Sequence, residues 1–163
     1  MCPCRARDGI EGINQQQISP LTAPEQQWVD VRRAYAAQEG VDHLDLDQVD
    51  AWHGRLLARS RSEDVDPDEL GVLLEVTAVL LGEHLGARHG LAWVSVTDDD
   101  GIDLGLRDPL SDAVVFPLSE VGARWNADEA GWMPAYVDAL GAQLQEVRAQ
   151  RAADGFGAGP NED

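Results

Sequence analysis

Apolar positions in this chain recur with two different periods, and the change of period divides it. Trp28, Val31 and Tyr35 repeat at helical spacing. Thr22 with Glu25 is a capping box, Pro24 suits a first turn, and Gly40 is a C′ stop, so a helix is expected from Thr22 to Gly40. A second helix is expected from about Asp45 to Arg61. Leu46, Val49, Trp52 and Leu56 share one of its faces, with Leu57 beside them. Asp45 and Asp47 at its start and Arg59 and Arg61 at its end complement the helix dipole. These two helices read as an amphipathic hairpin that must pack on something else. A third helix starts at Asp66 as N-cap, with Pro67 at N1 and Glu69 closing a capping box, and ends at Gly90. It is apolar nearly all round from Leu70 to Leu81, which makes it the central, most buried helix. Gly71, Gly82 and Gly86 within it suggest the close approach of another backbone.

The period then drops to two. Ala92, Val94 and Val96 alternate with Trp93, Ser95 and Thr97, and Ile102, Leu104 and Leu106 alternate with Asp103 and Gly105. Asp100-Gly101 between these runs is a hairpin signal, and Ala113 to Phe116 follows the Asp108-Pro109 turn as a third strand. The expectation is a three-stranded antiparallel meander. Val94, Val96, Ile102, Leu104 and Leu106 would face the central helix, with Trp93, Ser95, Asp103, Gly105 and Val115 on the opposite face. Pro117 ends the sheet. A short helix follows with Leu118, Val121 and Trp125 on one side, then a last helix from Pro134 to about Ala152 carrying Tyr136, Leu140, Leu144 and Val147. Helices, sheet, then helices make an α+β fold. Residues 21–152 form one domain, a helical hairpin over 21–62 and a helix–sheet–helix core over 63–152, between disordered tails at 1–20 and 153–163.

Composition adds a strong charge to this picture. The 163 residues include 30 acidic and 12 basic ones, every basic residue is arginine, and the net charge is −18. The excess is concentrated: residues 63–112 carry thirteen acidic residues against two arginines. Such a field attracts basic partners and repels nucleic acid and anionic membrane surfaces. Genome composition or salt adaptation produces the same residue usage. The longest apolar stretch, Leu70 to Leu81, is interrupted by Gly71, Glu75 and Thr77, so no membrane-spanning helix is expected. The N-terminus lacks the apolar centre of a signal peptide, which makes the cytoplasm the expected location. Cys2 and Cys4, separated by Pro3, would make a strained disulfide and cannot fill a zinc site, so they read as free thiols on a tail.

No catalytic constellation stands out, and no cofactor or metal is expected. Counting back from Gly101, an EF-hand would need an acid where Val96 stands, so Asp98, Asp99 and Asp100 read as a hairpin turn. His84 and His89 are five apart and lack the HExxH spacing. No G-x-S-x-G elbow or phosphate loop occurs. The candidate binding patch is Trp93 beside Asp103 on an open sheet face, next to Asp98, Asp99 and Asp100 at the hairpin tip. The alternative is that an N-terminal helix covers this face and Trp93 is core.

From Asp66 to about Val147, three segments, VLLGEHLGARHGLAW, WVSVTDDDG and VVFPLSEV, together resemble an uncharacterised bacterial family, domain of unknown function thirty-eight-oh-six. The resemblance implies a small cytoplasmic bacterial α+β domain and carries no catalytic residue. Residues 1–65 lie outside it. The expected function is a non-enzymatic interaction or regulatory domain that binds a basic protein partner; immunity or inhibition against a basic toxin is one concrete form. The alternative is a small ligand-binding domain or hydrolase with a carboxylate site near Asp103. Neither nucleic acid nor a membrane is an expected partner.

Overall fold

A helix that is apolar on every side must be surrounded, and the third helix is. The structure, a computed structural model, describes residues 16–156. Its elements are β1 (Gln17–Pro20), α1 (Ala23–Gln38), α2 (Leu46–Ser62), α3 (Pro67–His89), β2 (Ala92–Asp98), β3 (Gly101–Arg107), β4 (Val114–Val115), α4 (Pro117–Asn126) and α5 (Met133–Phe156). α1, α2, α4 and β2 all pack on α3. Leu80, Leu81 and Leu85 of α3 are fully buried, together with Leu106 and Met133. α3 is long and apolar enough to cross a membrane by composition, and over half of that stretch is buried inside the fold.

Local chemistry explains the helix ends. The Thr22–Glu25 capping box forms as expected, and Gly90 closes α3 in the left-handed conformation at φ 73°. At Asp66 the capping differs from expectation. Its carboxylate accepts the Asp68 amide at 3.0 Å, while Glu69 turns away to Arg59 at 3.2 Å, so no capping box closes there. α5 begins with a long-range contact: Asp50 of α2 accepts the Met133 amide at 3.2 Å. Inside the helical layer the Trp52 indole donates to Thr77 at 3.0 Å, and the Thr77 hydroxyl donates to the Leu73 carbonyl at 2.9 Å. That chain satisfies two polar groups at the buried α2–α3 contact.

Four more features depart from the sequence reading. The sheet has four strands in the order β1-β2-β3-β4, not three, because Gln17–Pro20 adds antiparallel to β2. Gln17–Pro20 thus lie in the sheet and not in the tail expected at 1–20, and residues 1–15, with Cys2 and Cys4, lie outside the described residues. Helix α5 continues to Phe156, so the C-terminal tail does not begin at 153. α1 buries Val29 and Ala36, whereas Val31 and Tyr35 of the expected stripe are 57% and 38% exposed. α1 and α2 each pack chiefly on α3, in keeping with the expectation that this pair must pack on something else.

The fourth departure is the sheet register. Asp98 pairs with Gly101, which leaves Asp99-Asp100 as a two-residue turn and sets Trp93 opposite Leu106 and Val94 opposite Gly105. Directly paired residues share a face. Trp93, Ser95, Leu104 and Leu106 therefore face the helices. Val94 and Val96 lie on the other face with Asp103, Ile18, Val114 and Phe116. The expected grouping of Val94 and Val96 with Ile102, Leu104 and Leu106 is overturned.

Of the three α3 glycines expected to meet a close neighbour, Gly82 and Gly86 do, whereas a Cβ on Gly71 would meet nothing. A Cβ on Gly82 would stand 2.2 Å from the Trp93 ring, and one on Gly86 would stand 3.0 Å from the Leu91 carbonyl oxygen. The close approach at Gly82 is thus by an indole, not by backbone. Gly82→Ala recovers up to about 1 kcal/mol of helix propensity. It also overpacks a rigid ring, at about 1–3 kcal/mol or more. A net fall in Tm is expected; an unchanged Tm would show that the ring moves aside freely.

Candidate functional site

The sequence-expected patch does not assemble. Trp93 points inward onto Gly82, and its indole donates to Glu83 at 3.0 Å. Asp103, opposite Val96, is exposed on the outer face. The two-residue turn puts them on opposite sides of the sheet, so no exposed aromatic stands beside Asp103. The cover over Trp93 is α3, with α1 alongside, where Glu25 accepts the Ser95 hydroxyl at 3.2 Å. At the hairpin tip the Asp98 carboxylate accepts the Asp100 amide at 2.9 Å, and Asp99 and Asp100 are exposed.

Charge is laid out unevenly. Most described arginines hold carboxylates, several of them between elements. Arg32 of α1 holds Glu75 of α3 through Nε and Nη2, at 2.9 and 2.6 Å, and lies 3.8 Å over the Trp28 ring. Arg124 of α4 bridges Glu120 and Glu129 at 3.1 and 2.7 Å. Arg61 reaches Asp128, Arg107 and Arg151 share Asp112, and Arg88 holds Asp138 at 2.9 Å. The most buried contact is Arg148 of α5 on Asp108, at 2.8 and 2.9 Å. Arg148 and the Ser111 hydroxyl, which donates at 2.6 Å, hold the Asp108 carboxyl down to about 2 against the opposing effect of burial. No arginine among the described residues reaches the exposed carboxylates of Asp42, Asp45, Asp47, Asp64, Asp68 or Asp103.

Asp42, Asp45 and Asp47 border a groove of about 510 Å³ between the α1–α2 loop and α3, with Leu44, Leu46, His84 and Arg88. Asp42 accepts the Leu44 amide at 2.9 Å and Asp45 accepts the Asp47 amide at 3.1 Å, which fixes the loop. His84 is buried, and its Nδ1 bonds the His43 carbonyl at 2.9 Å. A carbonyl only accepts, so Nδ1 carries the proton; Nε2 has no partner among the described residues.

A second region, absent from the sequence reading, is an aromatic box around His53 of α2. His53 is fully buried, neither ring nitrogen has a partner among the described residues, and its ring meets the edges of Trp125 and Trp132 at 5.9 and 5.8 Å. The buried Trp132 indole nitrogen is also unpartnered. Beside the box, a cavity of about 400 Å³ between α4 and α5 is lined by Glu120, Arg124, Trp132, Tyr136 and Gln143, among others. Burial pushes the Tyr136 phenol up. Burial also lowers His53 below its ordinary 6.5, with Asp50 opposing. The folded protein therefore resists a proton that the unfolded chain accepts near pH 6.5. Stability from this residue is present above that pH and lost as pH falls below it. His53→Leu removes two unsatisfied nitrogens and keeps the apolar contact, so its Tm should hold or rise and decline less from pH 7 to 5 than the parent's. A steeper decline in the variant would contradict this.

Residues 55–136 match the family described as Domain of unknown function (DUF3806). The match runs from the middle of α2 through α3, the β2–β4 hairpins and α4 into the first turn of α5. The chain belongs to the DUF3806 family. The DUF3806 match takes in Trp125, Trp132 and Tyr136 of the aromatic box but stops short of Arg148, and it leaves out β1, α1 and His53. Neither the curated proteins nor the solved structures contain a match to the chain. Among the described residues of this DUF3806 protein, no three His, Cys, Asp or Glu side chains are grouped as metal ligands.

Proposed function

We propose that this DUF3806 protein is a cytoplasmic bacterial interaction or regulatory domain, non-enzymatic, that binds a basic protein partner through its acidic surface. Immunity or inhibition against a basic toxin is one form this takes. The observation that carries the reading is the separation of charge. Described arginines pair with carboxylates, and none of them reaches the exposed aspartates of the α1–α2 loop, the start of α3 and the outer sheet face, which adds to the negative field there. Asp103 belongs to this surface by charge and position, with the hairpin tip Asp98, Asp99 and Asp100 a candidate contact next to it; Trp93 is not part of it.

Association kinetics with the partner recovered from native cytosol test the reading. Neutralising Asp98, Asp99 and Asp100 to Asn should slow the on-rate at low salt more than it changes the off-rate. An unaltered on-rate would remove the tip from the interface. A second reading, a small-ligand domain, is favoured by the α4–α5 cavity and its aromatic lining rather than by Asp103. Ala139→Leu, which narrows that cavity, should leave partner binding untouched under the first reading and impair function under the second.

A further inference from the structure

We infer that the cavity between α4 and α5 binds a small, uncharged aromatic molecule whose ring accepts a hydrogen bond from the Tyr136 hydroxyl. That assignment rests on the small-ligand reading, names its ligand class and is independent of the acidic surface. At about 400 Å³ the cavity lies toward the lower end of ligand sites, with room for two fused rings. Its apolar lining comes from Trp132, Tyr136, Leu140, Ala135 and Ala139. The Trp132 and Tyr136 rings meet edge-on at 5.5 Å and brace each other as one aromatic wall. Ala135 and Ala139 are exposed small residues one turn apart on α5, and they leave open the space that larger side chains would fill.

Tyr136 supplies the polar group that selects. Its side chain is half-buried, yet its hydroxyl makes no hydrogen bond to any described residue. Unlike the Trp132 indole nitrogen, the hydroxyl is not sealed in the core. It lies within electrostatic reach of Glu120 and Arg124, the two charged residues that line the cavity from α4, which places it in the gap between the helices. Burial pushes the phenol above its ordinary 10, so at neutral pH it is a protonated donor. A largely buried donor without an acceptor is a cost that an incoming acceptor removes. The charges of the lining disfavour ionic ligands. Arg124 already gives Nε to Glu120 and Nη1 to Glu129, at 3.1 and 2.7 Å, so an anion would meet two carboxylates that have taken up this cation. A cation would meet the Arg124 guanidinium, which lies over the Trp132 ring at 5.3 Å.

The test uses the full chain at neutral pH and, as probe, quinoline, an uncharged two-ring molecule whose ring nitrogen accepts a hydrogen bond. The cation N-methylquinolinium and the anion naphthoate are its charged counterparts. Titrations followed by amide shifts give affinity and location together, and melting curves check that each variant folds. Tyr136→Phe removes the hydroxyl and keeps the ring, Ala139→Leu fills the cavity, and Ala142→Leu adds the same bulk at an exposed position of α5 outside the lining. Quinoline shifts should centre on Trp132, Tyr136 and Ala139, and both ions should bind more weakly. Affinity should fall about threefold to tenfold in Tyr136→Phe, as for one neutral hydrogen bond. It should fall about tenfold or more in Ala139→Leu and by less than about twofold in Ala142→Leu. Quinoline binding in the cavity that Tyr136→Phe leaves unchanged, or an ion that binds as tightly, would overturn the ligand class and leave the small-ligand reading standing. No quinoline shifts in the cavity of the parent, or equal affinity in Ala139→Leu, would overturn both.

Discussion

Arg148→Met is expected to cost about 3–5 kcal/mol, the range for breaking a buried ion pair from one side. The Asp108 side chain is fully buried, and Arg148 gives it two of its hydrogen bonds. Removing the guanidinium leaves a carboxylate with only the Ser111 hydroxyl and the Leu110 amide, at 2.6 and 3.2 Å. It also strips a 2.7 Å hydrogen bond from the His89 carbonyl at the end of α3, so the helix loses its C-terminal partner. The pair ties α5 to the turn after β3 and to α3 at once. The pH dependence has a definite sign. Asp108 is held at about 2, below its ordinary 3.8, so its contribution is full above pH 3.8 and is lost as pH falls toward 2. Acid should therefore destabilise the parent more than Arg148→Met, in which Asp108 titrates nearer its ordinary value. Denaturant melts at pH 7 and pH 3 measure both effects. A variant within about 1 kcal/mol of the parent at pH 7 would show that Asp108 finds water instead.

Leu80→Ala should cost about 2–5 kcal/mol, the range for large-to-small changes in a core. Leu80 is 1% exposed in the middle of α3, the helix on which α1, α2, α4 and β2 all pack. A cavity there cannot be closed by movement of one neighbour without opening another contact. Against a total stability of about 5–15 kcal/mol, this one change can leave the domain marginal. Leu74→Ala, at a half-buried position, should cost less. If Leu80→Ala and Leu74→Ala melt together and near the parent, α3 is not the centre of the core.

What was legible in the sequence follows from how far each signal reaches. The long helices announce themselves through caps and periodicity over many residues, so their bounds fall within a few residues of expectation. α1 shows the weakness of reading only large apolar residues. Val29 and Ala36 are its buried positions, and Ala36 is small enough to escape notice, while Trp28 spends its face on Arg32. β1 is four exposed residues with no period of their own; only pairing with β2 makes them a strand. The faces of the hairpin were within reach. With Asp99-Asp100 taken as the turn, parity alone puts Trp93 with Leu106 and parts it from Asp103. The apolar residues do not all share one side: Val94 and Val96 take the face opposite Leu104 and Leu106. His53 was also accessible as a core position, because it lies on the face that carries Val49, Leu56 and Leu57. Its neighbours Trp125 and Trp132 come from α4 and the segment before α5, and no local pattern links them. The groove joins a loop to a helix some forty residues on and was equally invisible.

Recruitment of a basic protein by the acidic surface remains a proposal that salt can test. The most direct test is the association rate of the parent with the partner recovered from native cytosol, measured at two ionic strengths. Raising salt shortens the screening length from about 10 Å at 0.1 M to about 3 Å at 1 M. The on-rate should fall by about tenfold or more across that range while the off-rate changes little. Equal on-rates at both ionic strengths would contradict it and leave the acidity as a matter of genome composition or salt adaptation.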